Sequence, residues 1–154
     1  MSRMRWRAAV VAGLAALGLG ACGGSGGYGG GSPTGPTGPT GLPDGFYITI
    51  SNMAYSPLEL HVPPGGTVTV LNRDTMPHSV TSEDAPEDYS PGGVDGVSFD
   101  TGEFAAGSRT FTLPGDAPLE TSVPYYCRTH HGSMSTPTGR VVVDDSAQPG
   151  PAPQ

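Results

Sequence analysis

The chain has 154 residues, with 14 Asp and Glu against 7 Arg, no Lys, 25 Gly, 17 Pro and 2 Cys. That length allows one ordinary domain, and a charged content of 14% leaves too few helix-favouring side chains for a helical bundle or coiled coil. A formal charge of −7 without a basic stripe argues against nucleic-acid binding, and two Cys cannot build a disulfide framework.

Arg3, Arg5 and Arg7 open the chain and precede an apolar stretch from Ala8 to Gly20. The stretch is shorter than the roughly 20 residues that a membrane-spanning helix needs, so residues 1–21 read as an export signal with a positive leading region. Leu19-Gly20-Ala21-Cys22 resembles a bacterial lipobox, which implies that Cys22 becomes the lipidated first residue and ties the exported protein to a membrane. Ordinary cleavage that leaves Cys22 as a free thiol is the alternative. Residues 22–43 are almost wholly Gly, Ser, Pro and Thr, with three Pro-Thr-Gly units between Pro33 and Gly41. No apolar face repeats there, so the segment is expected to be a tether that spans roughly 25 Å as a coil. Without residues 1–21 the chain keeps 4 Arg against 14 acids, a formal −10 that favours basic partners.

Residues 44–145 switch to short segments with an apolar residue at every second position. Ile48 and Ile50, then Leu58, Leu60 and Val62, then Val68 and Val70, then Phe111 and Leu113 each alternate with polar neighbours, and Val141-Val142-Val143 closes the run. Period two predicts strands with one buried face, and Ser56-Pro57, Pro63-Pro64-Gly65-Gly66, Pro91-Gly92-Gly93 and Pro114-Gly115 break them. The expected fold class is all-β, a sandwich or barrel. Ser82 to Gly96 interrupts the strand spacing and reads as a surface excursion, with the acids from Glu83 to Asp88 as a solvated loop. Residues 146–154 read as an unstructured tail.

Chemistry concentrates in Tyr125-Tyr126-Cys127-Arg128-Thr129-His130-His131-Gly132-Ser133-Met134. A tight loop after the aromatic pair would aim a thiol, an imidazole and a thioether at one centre. A further imidazole, His78, stands in Asn72-Arg73-Asp74-Thr75-Met76-Pro77-His78-Ser79-Val80, just beyond the Val68–Val70 strand. Two His, one Cys and one weak Met are the donor set of a blue-copper centre. Zinc prefers four strong donors, and iron–sulfur clusters need more Cys than the chain holds. Either His130 or His131 could complete the set, the first through Cys-x-x-His and the second through Cys-x-x-x-His. His61 alternates with Leu60 and Val62 and reads as a solvent-facing strand residue, while Tyr125 and Tyr126 read as core.

These segments together resemble the cupredoxins, the blue-copper family of plastocyanin, amicyanin and azurin. The resemblance rests on Ala54-Tyr55-Ser56-Pro57, Pro64-Gly65-Gly66-Thr67-Val68-Thr69-Val70, Asn72-Arg73-Asp74, Pro77-His78-Ser79-Val80 and Tyr126-Cys127-Arg128-Thr129-His130. It implies a Greek-key β-sandwich holding one copper, with His78, Cys127, His130 and axial Met134 as ligands. It also implies an apolar ring near the C-terminal ligand, for which Met76, Pro77 and Pro137 are candidates. Two departures stand out. Ser79 occupies a place where many relatives carry a bridging Asn, and the run from Met134 to Gly139 is longer than usual.

The expected function is that of an exported, lipid-anchored one-electron carrier in the periplasm or on the cell surface. It would act as a monomer between redox protein partners such as a basic cytochrome or an oxidoreductase. No catalytic Ser-His-Asp pattern, carboxylate pair or phosphate loop marks an enzyme. The alternatives are a copper carrier that delivers the metal, and a metal-free binding module.

Overall fold

The computed structural model describes residues 41–154; residues 1–21, Cys22 and most of the expected tether lie outside them. Among the described residues there are eight strands and no helix: β1 (Phe46–Ile50), β2 (Tyr55–Ser56), β3 (Glu59–Val62), β4 (Thr67–Asn72), β5 (Thr81–Ser82), β6 (Gly107–Thr112), β7 (Ser122–Tyr126) and β8 (Thr138–Val143). They form two four-stranded sheets, β2-β1-β4-β6 and β3-β8-β7-β5. The expected all-β sandwich is therefore the observed one.

Parallel pairing dictates this arrangement. β1 runs parallel to β4 with Ile48 opposite Val70, and β3 runs parallel to β8 with Leu60 opposite Val141. Parallel neighbours cannot be joined by a tight hairpin, so the chain must cross over between them. The crossover from β1 to β4 carries β2 and then β3, and β3 belongs to the opposite sheet. The two layers are thus stitched together early in the sequence.

Alternation places Ile48, Ile50, Val68, Val70, Val123, Val141 and Val143 in a common core with Val62, Phe99, Phe111 and Tyr125. Phe99, just beyond the excursion, stacks on Phe111 of β6 at 4.2 Å and 9°, so the segment that follows the excursion closes part of the core. Leu58 departs from the expected alternation: it lies outside β3 and stays 50% exposed. β3 is an edge strand bonded only to β8, so only the inward-facing Val62 at its end is fully covered. Gly139 faces Tyr125 across β7 and β8, and any side chain there would overlap the Tyr125 ring.

The closing residues differ from the expected loose tail. They form no strand, yet Gly150 and Gly45 exchange backbone hydrogen bonds of 2.9 and 3.0 Å, and the Arg73 guanidinium donates to the carbonyls of Pro153 and Gln154. Backbone groups hold this segment, which is why its side-chain composition did not announce it.

His61 faces solvent as expected, and it is also pinned. Its ring nitrogens lie 3.0 Å from Glu59 Oε1 and 3.0 Å from Asp144 Oδ2, and Glu59 also meets Arg140 of β8. Contact with two carboxylates requires both ring nitrogens to donate, so the imidazolium is favoured. The bond to Glu59, with that to Asp144, raises the His61 pKa above the ordinary histidine value against a smaller desolvation effect. Bonds to His61 and Arg140 lower that of Glu59, and bonds from Ser146 and His61 lower that of Asp144. A raised folded-state pKa gives stability that is complete below the unfolded value and lost as pH rises through the folded one. The melting temperature of wild type should therefore exceed that of His61→Gln by more at about pH 5.5 than at about pH 9. An equal gap at both pH values, measured by circular dichroism, would remove the charged clamp.

Candidate metal centre

Three side chains from two distant segments meet at one end of the sandwich. β7 ends at Tyr126 and delivers Cys127, fully buried, between the sheets. His78 lies beyond β4 and is fully buried too; its backbone exchanges hydrogen bonds of 3.1 and 3.0 Å with Phe104. Next to Cys127 the chain turns tightly: His131 N–H donates to Cys127 O, and the N–H groups of Ser133 and Met134 both donate to His130 O. This turn returns the His130 ring to the sulfur.

The Nδ1 atoms of His78 and His130 lie 3.6 and 4.0 Å from Cys127 Sγ, and the two rings sit 4.9 Å apart. All three donor atoms fall within 4.8 Å of one another. Donors bound at about 2.0–2.3 Å to one first-row ion in a trigonal plane lie roughly 3.5–4 Å apart. Both sulfur–nitrogen distances have that spacing, and the two imidazoles and one thiol suit copper in both oxidation states. Met134 is buried on the same turn, 7% exposed.

Between the two imidazoles offered by the sequence, the structure brings His130 to the cluster. His131 Nδ1 lies 3.2 Å from the carbonyls of both Cys127 and Arg128, and its ring stacks on Tyr89 at 4.4 Å and 20°. Its ring is therefore engaged on the outer side of the turn.

Tyr89 is held there by a feature that charge patterning missed. Glu83 belongs to the supposedly solvated acidic loop, yet it is fully buried, and its carboxylate accepts the N–H groups of Glu87 and Tyr89 at 3.1 and 2.8 Å. A buried carboxylate persists where donors replace water, and here the loop's own backbone supplies them. Asp84, Glu87 and Asp88 remain exposed.

Desolvation, then the neighbouring His130, holds His78 below the ordinary histidine pKa, so its ring is neutral and able to donate an electron pair. Its Nε2 has no aligned hydrogen-bond acceptor but sits 3.3 Å from Asp74 Oδ2. Burial acts to raise the Asp74 pKa, but the N–H groups of Met53 and Asn52, together with His78, hold it below the usual carboxylate value. Asn52 and Met53, both at positive φ, donate to Asp74 at 2.7 and 2.9 Å, and Met53 O in turn accepts Ser135 N–H at 2.8 Å. One carboxylate thus lies against His78 and anchors the turn that grips the residue after Met134. Asp74 was overlooked in the sequence as a functional residue; an acid four positions before His78 was its signal. Beneath the cluster, the Tyr55 hydroxyl donates to Ser79 O at 2.6 Å, and burial followed by the nearby Cys127 drives its pKa far upward.

A family model described as copper binding proteins of the plastocyanin/azurin family matches residues 46–144. Similar solved structures include an oxidised Met-to-Leu variant of amicyanin, 27% identical over 65% of this chain and 82% of that one, with a TM-score of 0.44. A reduced Cu(I) form of a Pro-to-Gly amicyanin variant is 26% identical over 67% of this chain and 85% of that one, with a TM-score of 0.47. A purple cupredoxin from Nitrosopumilus maritimus is 27% identical over 64% of this chain and 99% of that one, with a TM-score of 0.46. No curated protein matches the chain at a significant level.

The two imidazoles are separable by substitution. His130→Gly should lower copper affinity by at least tenfold in a competition titration, about 1.4 kcal/mol or more, while His131→Gly should leave it nearly unchanged. The reverse order would exchange their roles.

Proposed function

From the membership of this chain in the plastocyanin/azurin family of copper-binding proteins, we propose that it is a mononuclear blue-copper protein that carries single electrons between extracytoplasmic redox partners. The observation that carries this reading is the His78–Cys127–His130 cluster, in which His78 and Cys127 are fully buried, His130 is half-buried, and both Nδ1 atoms turn toward one sulfur. His78, Cys127 and His130 would hold the metal, with Met134 on the same turn as a weaker thioether donor. When bound, copper supplies a Cu(I)/Cu(II) couple that accepts or releases one electron.

The protein's own part is to keep that exchange free of rearrangement. His78 presents a neutral Nδ1 toward Cys127, while its Nε2 lies 3.3 Å from the Asp74 carboxylate, a favourable charge environment for that ring edge. Cys127 is locked at the end of β7, with no exposed surface through which water could enter. Such fixed donors lower the reorganisation that accompanies a change of charge.

Met76, 45% exposed, and its exposed neighbour Pro77 sit two and one residues before His78 and give the site an apolar contact surface. The exposed acids Asp84, Glu87 and Asp88, with the low pI of about 4.7, suit a basic partner such as a cytochrome. Cys22 would carry the lipid that holds the domain at the membrane, with residues 22–43 as the tether.

Titration of the purified domain with Cu(II) should produce an intense blue thiolate-to-copper absorption that saturates at one equivalent and is absent in Cys127→Ser. A colourless complex, or saturation without a dependence on Cys127, would exclude the blue-copper assignment. For the anchor, the mass of the N-terminal peptide from a membrane fraction should show a diacylated or triacylated Cys22; an unmodified peptide would exclude it.

A further inference from the structure

Ser79 follows His78 directly, and its hydroxyl enters a closed polar circuit. Arg128 N–H, the first amide after Cys127, donates to Ser79 Oγ at 3.0 Å. Ser79 Oγ lies 3.0 Å from Thr81 Oγ1, and Thr81 Oγ1 donates to Asp100 Oδ1 at 2.9 Å. Asp100 Oδ2 then pairs with the Arg128 guanidinium at 3.3 Å, returning the circuit to its start. Ser79 and Thr81 are both buried.

The chemistry of the end group sets the direction of every bond. An ionised carboxylate can only accept, so the single Thr81 hydroxyl proton is committed to Asp100. Thr81 then has only lone pairs to offer Ser79, and Ser79 must donate to it. That leaves the Ser79 lone pairs facing Arg128 N–H, where an acceptor is required. Each bond polarises the next in the same sense.

Asp100 arrives by way of the long excursion, and the residues after it grip the same site. Thr101 N–H donates to Val80 O, Thr101 Oγ1 accepts Val80 N–H, and Phe104 pairs with His78 through both backbone groups. The Thr129 hydroxyl, one residue before His130, donates to the Glu103 carboxylate. One short segment therefore contacts the chain around both histidines.

We propose that Asp100 is a positioning residue for the metal centre: through the Thr81–Ser79 relay it fixes the first amide of the Cys127–His130 turn before metal binds. The relay ties the segment that carries His78 to the segment that carries Cys127 and His130. Its effect on copper rests on the reading of the preceding section, whereas its effect on the turn does not.

The test uses the full domain in two states. In the metal-free protein, hydrogen exchange at the Arg128 amide should be about tenfold or more faster in Asp100→Ala than in wild type. Asp100→Asn keeps an acceptor for Thr81 and should retain most of the protection. In the copper-loaded protein, Asp100→Ala should show a wider copper hyperfine splitting in paramagnetic resonance and a displaced reduction potential, with Asp100→Asn close to wild type. Unchanged Arg128 exchange in Asp100→Ala would overturn the relay. Equal loss in both variants would overturn it as well, by assigning the effect to the Arg128 ion pair. Should Asp100→Ala fail to fold, Ser79→Ala replaces it: a protected Arg128 amide in that variant overturns the proposal, and a released one supports it. Failure of wild type to bind copper would overturn the proposed function, while the exchange measurement would still decide the relay.

Discussion

The contact between Cys127 Sγ and His78 Nδ1, 49 residues apart in sequence and 3.6 Å apart in space, is the constraint around which the structure is organised. Both side chains are fully buried, and a buried thiol and imidazole are tolerated only where geometry and neighbours replace water. β7 supplies the thiol from the β3-β8-β7-β5 sheet, and the segment that follows β4 supplies the imidazole from the other sheet. The donor spacing is therefore a property of how the two layers pack. The parallel pairs β1–β4 and β3–β8 set that packing, because each forces the chain to cross between the sheets.

Around this contact, neighbouring groups restrict which side chains reach the cluster. Asp74 faces Nε2 of His78 and is kept ionised by backbone amides as well as by the imidazole. Tyr89 and two backbone carbonyls occupy His131, which removes the competing imidazole that the sequence offers next to His130. Glu83 makes this possible at a distance by fixing the loop that carries Tyr89. A buried acid that looks like part of a solvated run is thus a structural element of the metal site's surroundings.

The strands were legible because one-sided burial writes itself as alternation: Ile48, Ile50, Val68, Val70, Val141 and Val143 are all in the core. Leu58 was misjudged because alternation records which way a residue points and not whether anything covers it at an edge. The terminal segment escaped for a different reason. Gly150 and Gly45 meet through backbone groups, which every residue possesses and no pattern reveals.

By itself the sequence determined the chemistry available to this protein: an all-β domain with Cys127, two adjacent imidazoles and Met134 in one short stretch, and His78 in a second one far upstream. Those properties depend on residue type, period and short spacing, which survive without coordinates. Only the tertiary structure decided which imidazole approaches the sulfur, which carboxylate faces His78, and that Asp100 reaches Arg128 through Thr81 and Ser79. Each of those outcomes joins segments far apart in the chain, and the bonds that join them are set by the packing of two sheets.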